Sequence, residues 1–270
     1  PMRCTIFRGR FWFTPALGLV TLTLMSLLAC VSTVVAEPRS NADLTRNRHS
    51  KPFEVIDFIG AQPGWIALDL FGGGGYYSEV LAHHVGPTGL VYLHNDQATK
   101  VTPGQLQKRL GNISRRTGRS ETLPNIMLLD GAINDLSIPS HSVDLVLLVQ
   151  IYRDAYYQAH GWQLQSKALF KFIYRVLKPT GVLAVIDHTA VPGSGAEHAQ
   201  ALHRIDREFA INDISQHGFV LNDQSDLLEN SDDDLQRSVF HPSIRGRTSR
   251  FLLTFRKTAA IKKGPKGPLL

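Results

Sequence analysis

The chain has 270 residues, 43% of them hydrophobic, enough for one well-cored domain with an appendage and too few for two ordinary domains behind a leader. Its formal net charge of +6 falls to +3 once the three arginines of the first 36 residues are set aside, so the balance does not point to a nucleic-acid binder. The two cysteines, Cys4 and Cys30, both lie in that first segment, which excludes disulfide, zinc-thiolate and nucleophilic-thiol chemistry from the rest of the chain.

Residues 1–36 carry Arg3, Arg8 and Arg10, then an uncharged apolar run from Phe11 to Ala29, then small residues up to Ala36. That order is the plan of a signal peptide, with cleavage expected after Ala36; the alternative is a retained membrane anchor. Leu27-Leu28-Ala29-Cys30 resembles a bacterial lipobox and makes Cys30 a lipidation candidate. Either reading places the protein outside the cytosol or on its membrane, exported, periplasmic or anchored, with membrane contact only through this segment. Residues 37–51 are polar without apolar periodicity and read as a linker, so the folded domain is expected over 52–257. The last residues, 258–270, mix lysines with glycine and proline and read as a disordered basic tail.

Between these ends, strand-length apolar runs alternate with amphipathic stretches of helix length, the pattern of a parallel sheet with crossover helices and hence of the α/β class. Strands are expected at Trp65–Phe71, Gly89–Asn95, Asn125–Leu129, Val143–Val149 and Val182–Asp187, each continuous enough to be buried on both faces. Helices are expected at Phe53–Ile59, Tyr77–Val85, Pro103–Leu110 and Gln163–Leu177, where Leu164, Ala168, Phe172 and Val176 form an apolar stripe. A further helix over Ala196–Gln216 ends at Gly218, and Phe219–Leu221 and Phe251–Phe255 read as late strands. The acidic run Glu229–Asp234 reads as a solvated loop.

The most informative stretch is the strand Ile66-Ala67-Leu68-Asp69-Leu70 running through Phe71 into Gly72-Gly73-Gly74-Gly75 and then Tyr76-Tyr77 at the head of a helix. Such glycines permit a sharp turn and let a ligand approach the main chain, while the helix start offers free amides. A dinucleotide fingerprint fails, because its third glycine falls on Tyr77 or Ser78. No lysine lies between Trp65 and Thr99, so a Walker loop fails as well.

An acid at the strand end followed by Gly-x-Gly resembles the first motif of class I S-adenosylmethionine-dependent methyltransferases. In that alignment Asp69 is the acid, Gly73 and Gly75 are motif glycines, and Phe71 stands where the first glycine is usual. The resemblance extends to the second strand, where the family places a carboxylate on the ribose hydroxyls and this chain has Asn95 followed by Asp96. It continues through Asp130-Gly131-Ala132, with the adenine-side register open between Asp130 and Ala132, and through Leu177-Lys178-Pro179-Thr180-Gly181. Asp187-His188-Thr189-Ala190-Val191-Pro192-Gly193-Ser194-Gly195 and Ile244-Arg245-Gly246-Arg247-Thr248 are similar to a group of exported bacterial methyltransferases. The resemblance implies a doubly wound, Rossmann-like sheet of seven mostly parallel strands, in the order 3-2-1-4-5-7-6, with the last strand antiparallel. It also implies S-adenosyl-L-methionine as cofactor, with Asp69, Phe71, Gly72, Gly73, Gly75, Tyr76, Asn95, Asp96, Gly131, Ala132 and Gln150 around it.

Methyl transfer from a sulfonium is an in-line displacement that obliges no metal. Ligands of such sheets lie beyond the carboxyl ends of the strands, which brings together residues 150–157 and 187–195. There His188 is a candidate base and Tyr156 and Asp154 are candidate acceptor contacts, with structural hydrogen bonding as the other reading of His188. His203, Arg204 and Asp206 share a predicted helix and read as an intrahelical charge pair or as a brace for the acceptor loop. The acceptor is expected to be a small molecule or an envelope component. A catalytically silent adenosyl-binding module of the same fold is the alternative.

Overall fold

The apolar runs become the strands of one sheet: β1 (Ile66–Leu70), β2 (Leu90–Asn95), β3 (Ile126–Asp130), β4 (Val143–Val149), β5 (Leu177–His188), β6 (Phe219–Ser225) and β7 (Arg250–Lys257). This computed structural model describes residues 40–96, 123–158 and 164–258. The leader, the helix expected at Pro103–Leu110 and the tail past Thr258 lie outside the described residues. The strand order is β3-β2-β1-β4-β5-β7-β6. Pairings from β3 to β5 are parallel, and β7 runs antiparallel to both its neighbours.

Alternation along the strands divides the core into two layers. Val182, Ala184 and Ile186 of β5 pack with α2 (Pro52–Ile59) and α3 (Tyr76–Val85), whereas Leu183 and Val185 face α4 (Ser166–Val176) and α6 (Arg207–Gln216). Burying each such aliphatic side chain contributes about 1.5–3 kcal/mol, which is why continuous apolar runs mark the central strands. β3 departs from that expectation. It is an edge strand paired only with β2, and Met127 and Leu128 are 49% and 48% exposed.

Three local expectations are corrected. The polar stretch read as part of a 37–51 linker forms α1 (Asn41–Ser50). Ser40 caps it by accepting from the Asp43 amide, and polar tertiary contacts replace the missing apolar stripe: Tyr76 donates to Asn47 at 2.7 Å, Tyr77 to the Ser50 carbonyl at 3.0 Å, and Arg250 to the His49 carbonyl. Next, the strand expected at Val182–Asp187 begins earlier, at Leu177. Leu177 sits opposite Val143 and Val182 opposite Leu145, a bulge in which a side chain on Gly181 would lie 2.7 Å from Leu177.

The helix expected over Ala196–Gln216 is two helices, α5 (His198–Leu202) and α6, separated at His203, whose φ is +54°. Arg204 is the reason. It is fully buried and pairs with Asp233 at 2.8 Å while donating to the carbonyls of Thr189 and Arg237, so it leaves the helix to turn inward. Asp206 caps α6 through the Glu208 amide and holds Gly193 of the loop after β5. The predicted intrahelical pair is therefore replaced by long-range contacts, and Asp233, expected in a solvated loop, is buried.

Candidate active site

β1 ends in a backbone turn that the sequence makes obligatory. Phe71 has φ +58°, the left-handed conformation that a glycine at this place adopts freely and that costs a bulky residue about 1–3 kcal/mol. Its ring packs edge-on against His94 at 4.7 Å, and that contact helps hold it there. Gly72 follows because nothing larger fits: a Cβ would lie 2.5 Å from the Asp69 carboxyl group and 2.7 Å from Leu93. Gly73 and Gly75 have φ of +60° and +77°, and Gly75 is the N-cap of α3. Asp69 is buried and accepts from the Ser78 hydroxyl at 2.7 Å, tying β1 to α3 under the turn.

The end of β2 supplies two side chains that fix its neighbours. Asn95 accepts from the Gly73 amide at 3.0 Å and donates to the Gly73 carbonyl at 2.9 Å, so both ends of its amide bind one glycine as a strand partner does. His94 is buried; its Nε2 donates to the Gly131 carbonyl at 2.8 Å, which leaves Nδ1 to accept from the Phe71 amide at 3.4 Å. Burial lowers its pKa, and the neutral tautomer is the one this wiring requires. Gly131 has φ +121°, and neither it nor Gly73 has any atom within 4 Å of the place a Cβ would occupy. Asp96 is half-buried past the strand end and Ala132 is exposed at the start of a 3-10 turn. Tyr76 is buried beneath α1, with the Arg46 guanidinium 3.9 Å over its ring.

This is the region that the sequence reading assigns to the adenosyl group. Gly73 after β1 and Gly131 after β3 lie on either side of the Asn95–Asp96 step at the end of β2, and neither backbone meets a neighbour where a Cβ would stand.

Beyond β4 and β5 the wiring is ionic. Gln150 has φ +59°, and its carbonyl accepts from Arg153 at 2.5 Å. Arg153 is buried and pairs with the fully buried Asp187 at 2.8 Å, and its amide donates to the same carboxylate at 2.9 Å. Asp154 lies 3.6 Å from Arg153 Nε. Burial, with a smaller contribution from Asp187, outweighs the opposing pull of Arg153 and raises its carboxyl to about 6.

The three side chains expected to share the acceptor end do not converge. His188 follows Asp187 in β5 and so projects to the opposite face; its Nδ1 meets the Thr248 hydroxyl at 2.8 Å. Burial first, then Arg153, Arg250 and Arg204, hold it well below the usual histidine range, so the ring is neutral. Tyr156 packs on Tyr152 and Phe209, and burial with its hydrogen bond toward Asp213 pushes its hydroxyl to about 12. Asp154 alone of the three adjoins the Arg153–Asp187 pair. His94, Ser78, Arg153 and Asp187 are site residues that the sequence reading passed over. The signal available for Arg153 and Asp187 was their place within residues 150–157 and 187–195, the two segments expected to meet beyond the strand ends.

A seven-stranded sheet of this order, with a glycine turn after β1, defines the class I methyltransferase fold. Among solved structures, an S-adenosylmethionine-dependent methyltransferase from Aquifex aeolicus aligns with a TM-score of 0.55 at 16% identity, over 79% of this chain and 93% of that one. The [4+2]-cyclase SpnF aligns at 0.57 and 14% identity, over 83% and 86%, so the fold by itself does not fix the reaction. Residues 43–204, more than half of the chain, match the model of the ubiE/COQ5 methyltransferase family, and the chain belongs to that family. The cofactor is accordingly S-adenosyl-L-methionine. Among curated relatives, the ubiquinone/menaquinone biosynthesis C-methyltransferase UbiE of Shewanella sp. (strain ANA-3) is 30% identical over 137 residues, 49% of this chain and 46% of that protein. Its counterpart from Hydrogenovibrio crunogenus is 31% identical over 141 residues, 51% and 47%. The chain thus aligns with about half the length of these relatives.

Proposed function

We propose that this protein methylates a ring carbon of a hydroxylated, quinol-type acceptor, drawing the methyl group from S-adenosylmethionine. The observation that carries the reading is the Arg153–Asp154–Asp187 cluster, in which a carboxyl with a pKa of about 6 and a buried guanidinium stand together beyond β4 and at the end of β5. The names of the UbiE relatives supply the class of acceptor.

Bound S-adenosylmethionine supplies a methyl group already activated by its sulfonium. Asp154 takes the proton of an acceptor hydroxyl, Arg153 stabilises the oxyanion that remains, and the adjacent ring carbon becomes electron-rich enough to accept the methyl. Asp154 and Arg153 would thus prepare the ring carbon for the methyl that the bound cofactor supplies, and the hydrogen displaced from that carbon would leave as a proton to solvent. Asp187 holds Arg153 in place. On the cofactor side Asp96 takes the ribose hydroxyls, because the Asn95 amide is committed to Gly73.

The test is to incubate the chain with methyl-labelled cofactor and reduced 1,4-dihydroxynaphthalene and locate the label by NMR. A methyl bonded to ring carbon is expected, with a rate that climbs to a plateau above about pH 6 as Asp154 ionises. Exclusive formation of the methyl ether, or no product from cofactor-saturated protein, overturns the reading.

A further inference from the structure

Among the described residues three buried side-chain atoms have no hydrogen-bond partner: Arg153 Nε, Thr189 Oγ1 and His203 Nδ1. Folded proteins leave few such atoms, and a group of them in one place asks for a ligand. These three belong together. Thr189 lies two residues beyond Asp187 and so on the same face, and Asp187 carries Arg153. Thr189 also bridges to Ile205, two residues past His203. Burial first and the Arg153 guanidinium second hold His203 below the usual histidine range, so its ring is neutral, with one nitrogen donating and the other accepting.

The surroundings of His203 are aromatic. Tyr157 lies 4.7 Å from it, tilted by 41°, and Phe240, 54% exposed, meets it edge-on at 4.8 Å. The bend that presents it is rigid, because Arg204 next in the chain is anchored at Thr189, Arg237 and Asp233. A polar atom held in place beside exposed ring surface suits a flat molecule with an oxygen at its edge.

We propose that Thr189 and His203 form the subsite that reads an oxygen substituent of the methyl acceptor, with Arg153 Nε as a third donor and the rings of Tyr157, His203 and Phe240 along the flank of the acceptor's planar ring. This rests on the quinol-type reading above and adds the specificity residues, which lie at or beyond the end of β5.

The experiment measures binding of 1,4-dihydroxynaphthalene and of 1,4-dimethylnaphthalene to the full chain saturated with S-adenosylhomocysteine. His203→Phe keeps the ring contacts and deletes Nδ1, Thr189→Val deletes the hydroxyl at constant shape, and His203→Asn returns a polar atom near the Nδ1 position while tolerating the left-handed bend. His203→Phe and Thr189→Val are each expected to weaken the diol about tenfold, leaving the dimethyl compound and S-adenosylhomocysteine unaffected, and His203→Asn to recover most of the loss. Diol affinity unchanged in both variants overturns the subsite and leaves the quinol-type reading standing. Equal losses for both naphthalenes also overturn it, since they report lost packing. A wild-type chain that does not bind the diol overturns the quinol-type reading and the subsite with it.

Discussion

The ends of β1, β2 and β3 and the ends of β4 and β5 belong to one sheet, yet they are held by different forces. On the cofactor side, main chain bonds to main chain or to neutral side chains: Asn95 grips Gly73, and His94 bridges Phe71 and Gly131. On the acceptor side, buried charges do the holding, through Arg153 with Asp187 and Arg204 with Asp233. Neutral bonds to the backbone suit a region that receives one invariant ligand. Buried ion pairs are intolerant of change, and the Arg204–Asp233 pair ties the bend after α5 to the connection between β6 and β7.

The contrast is broken first at Arg204. Arg204→Met leaves Asp233 charged and buried, and is expected to cost about 3–5 kcal/mol of stability in urea denaturation, whereas adding Asp233→Leu should return part of it. A loss below about 1 kcal/mol means that the acceptor side does not depend on charge. A smaller effect is expected on the cofactor side, where sterics decide. Gly72→Ala forces a Cβ to within 2.5 Å of the Asp69 carboxyl group and should lower affinity for S-adenosylhomocysteine more than tenfold, at about 1–3 kcal/mol of stability. Gly73→Ala meets open space at φ +60° and should cost about 1–2 kcal/mol through the backbone alone. Equal effects at the two glycines would mean that the turn is not built on the clash at Gly72.

The third effect is one of pH. The Asp154 carboxyl is raised from 3.8 to about 6, so between those values the folded chain keeps a proton that the unfolded chain has released. The stability contributed by that proton is present at low pH and is lost as pH rises through about 6. His188 has the opposite sign: its folded pKa is depressed, so stability is lost as pH falls below the ordinary histidine value. Asp154→Asn should flatten the first slope in denaturation curves collected across pH and leave the second.

Much of the cofactor side was legible because its information is local. Asp69, the glycines and Phe71 stand within seven residues of one another, and a buried strand leading into four glycines has few physical solutions. The sheet order followed from the family resemblance, and the apolar runs located every strand. Asn95 was legible as a departure from the family pattern, although not that it would bond to Gly73 rather than stand at the ribose position. For His188 the sequence left two readings open, a base or a structural hydrogen bond; alternation puts it one residue out of phase with Asp187, where it meets Thr248.

The sequence alone determined that an α/β domain is present, where its strands lie and where the chain turns on glycine after β1, because burial and the lack of a Cβ are properties of residues and their immediate neighbours. Only the tertiary structure decided that residues 41–50 form a helix, that the chain breaks at His203 and that Asp233 is buried. Each of these depends on a partner distant in sequence: Arg250 lies about 200 residues from α1, and Asp233 lies 29 from Arg204. An ion pair or a side-chain-to-carbonyl bond leaves no periodicity behind it, so its energy enters the fold without a signature in the chain.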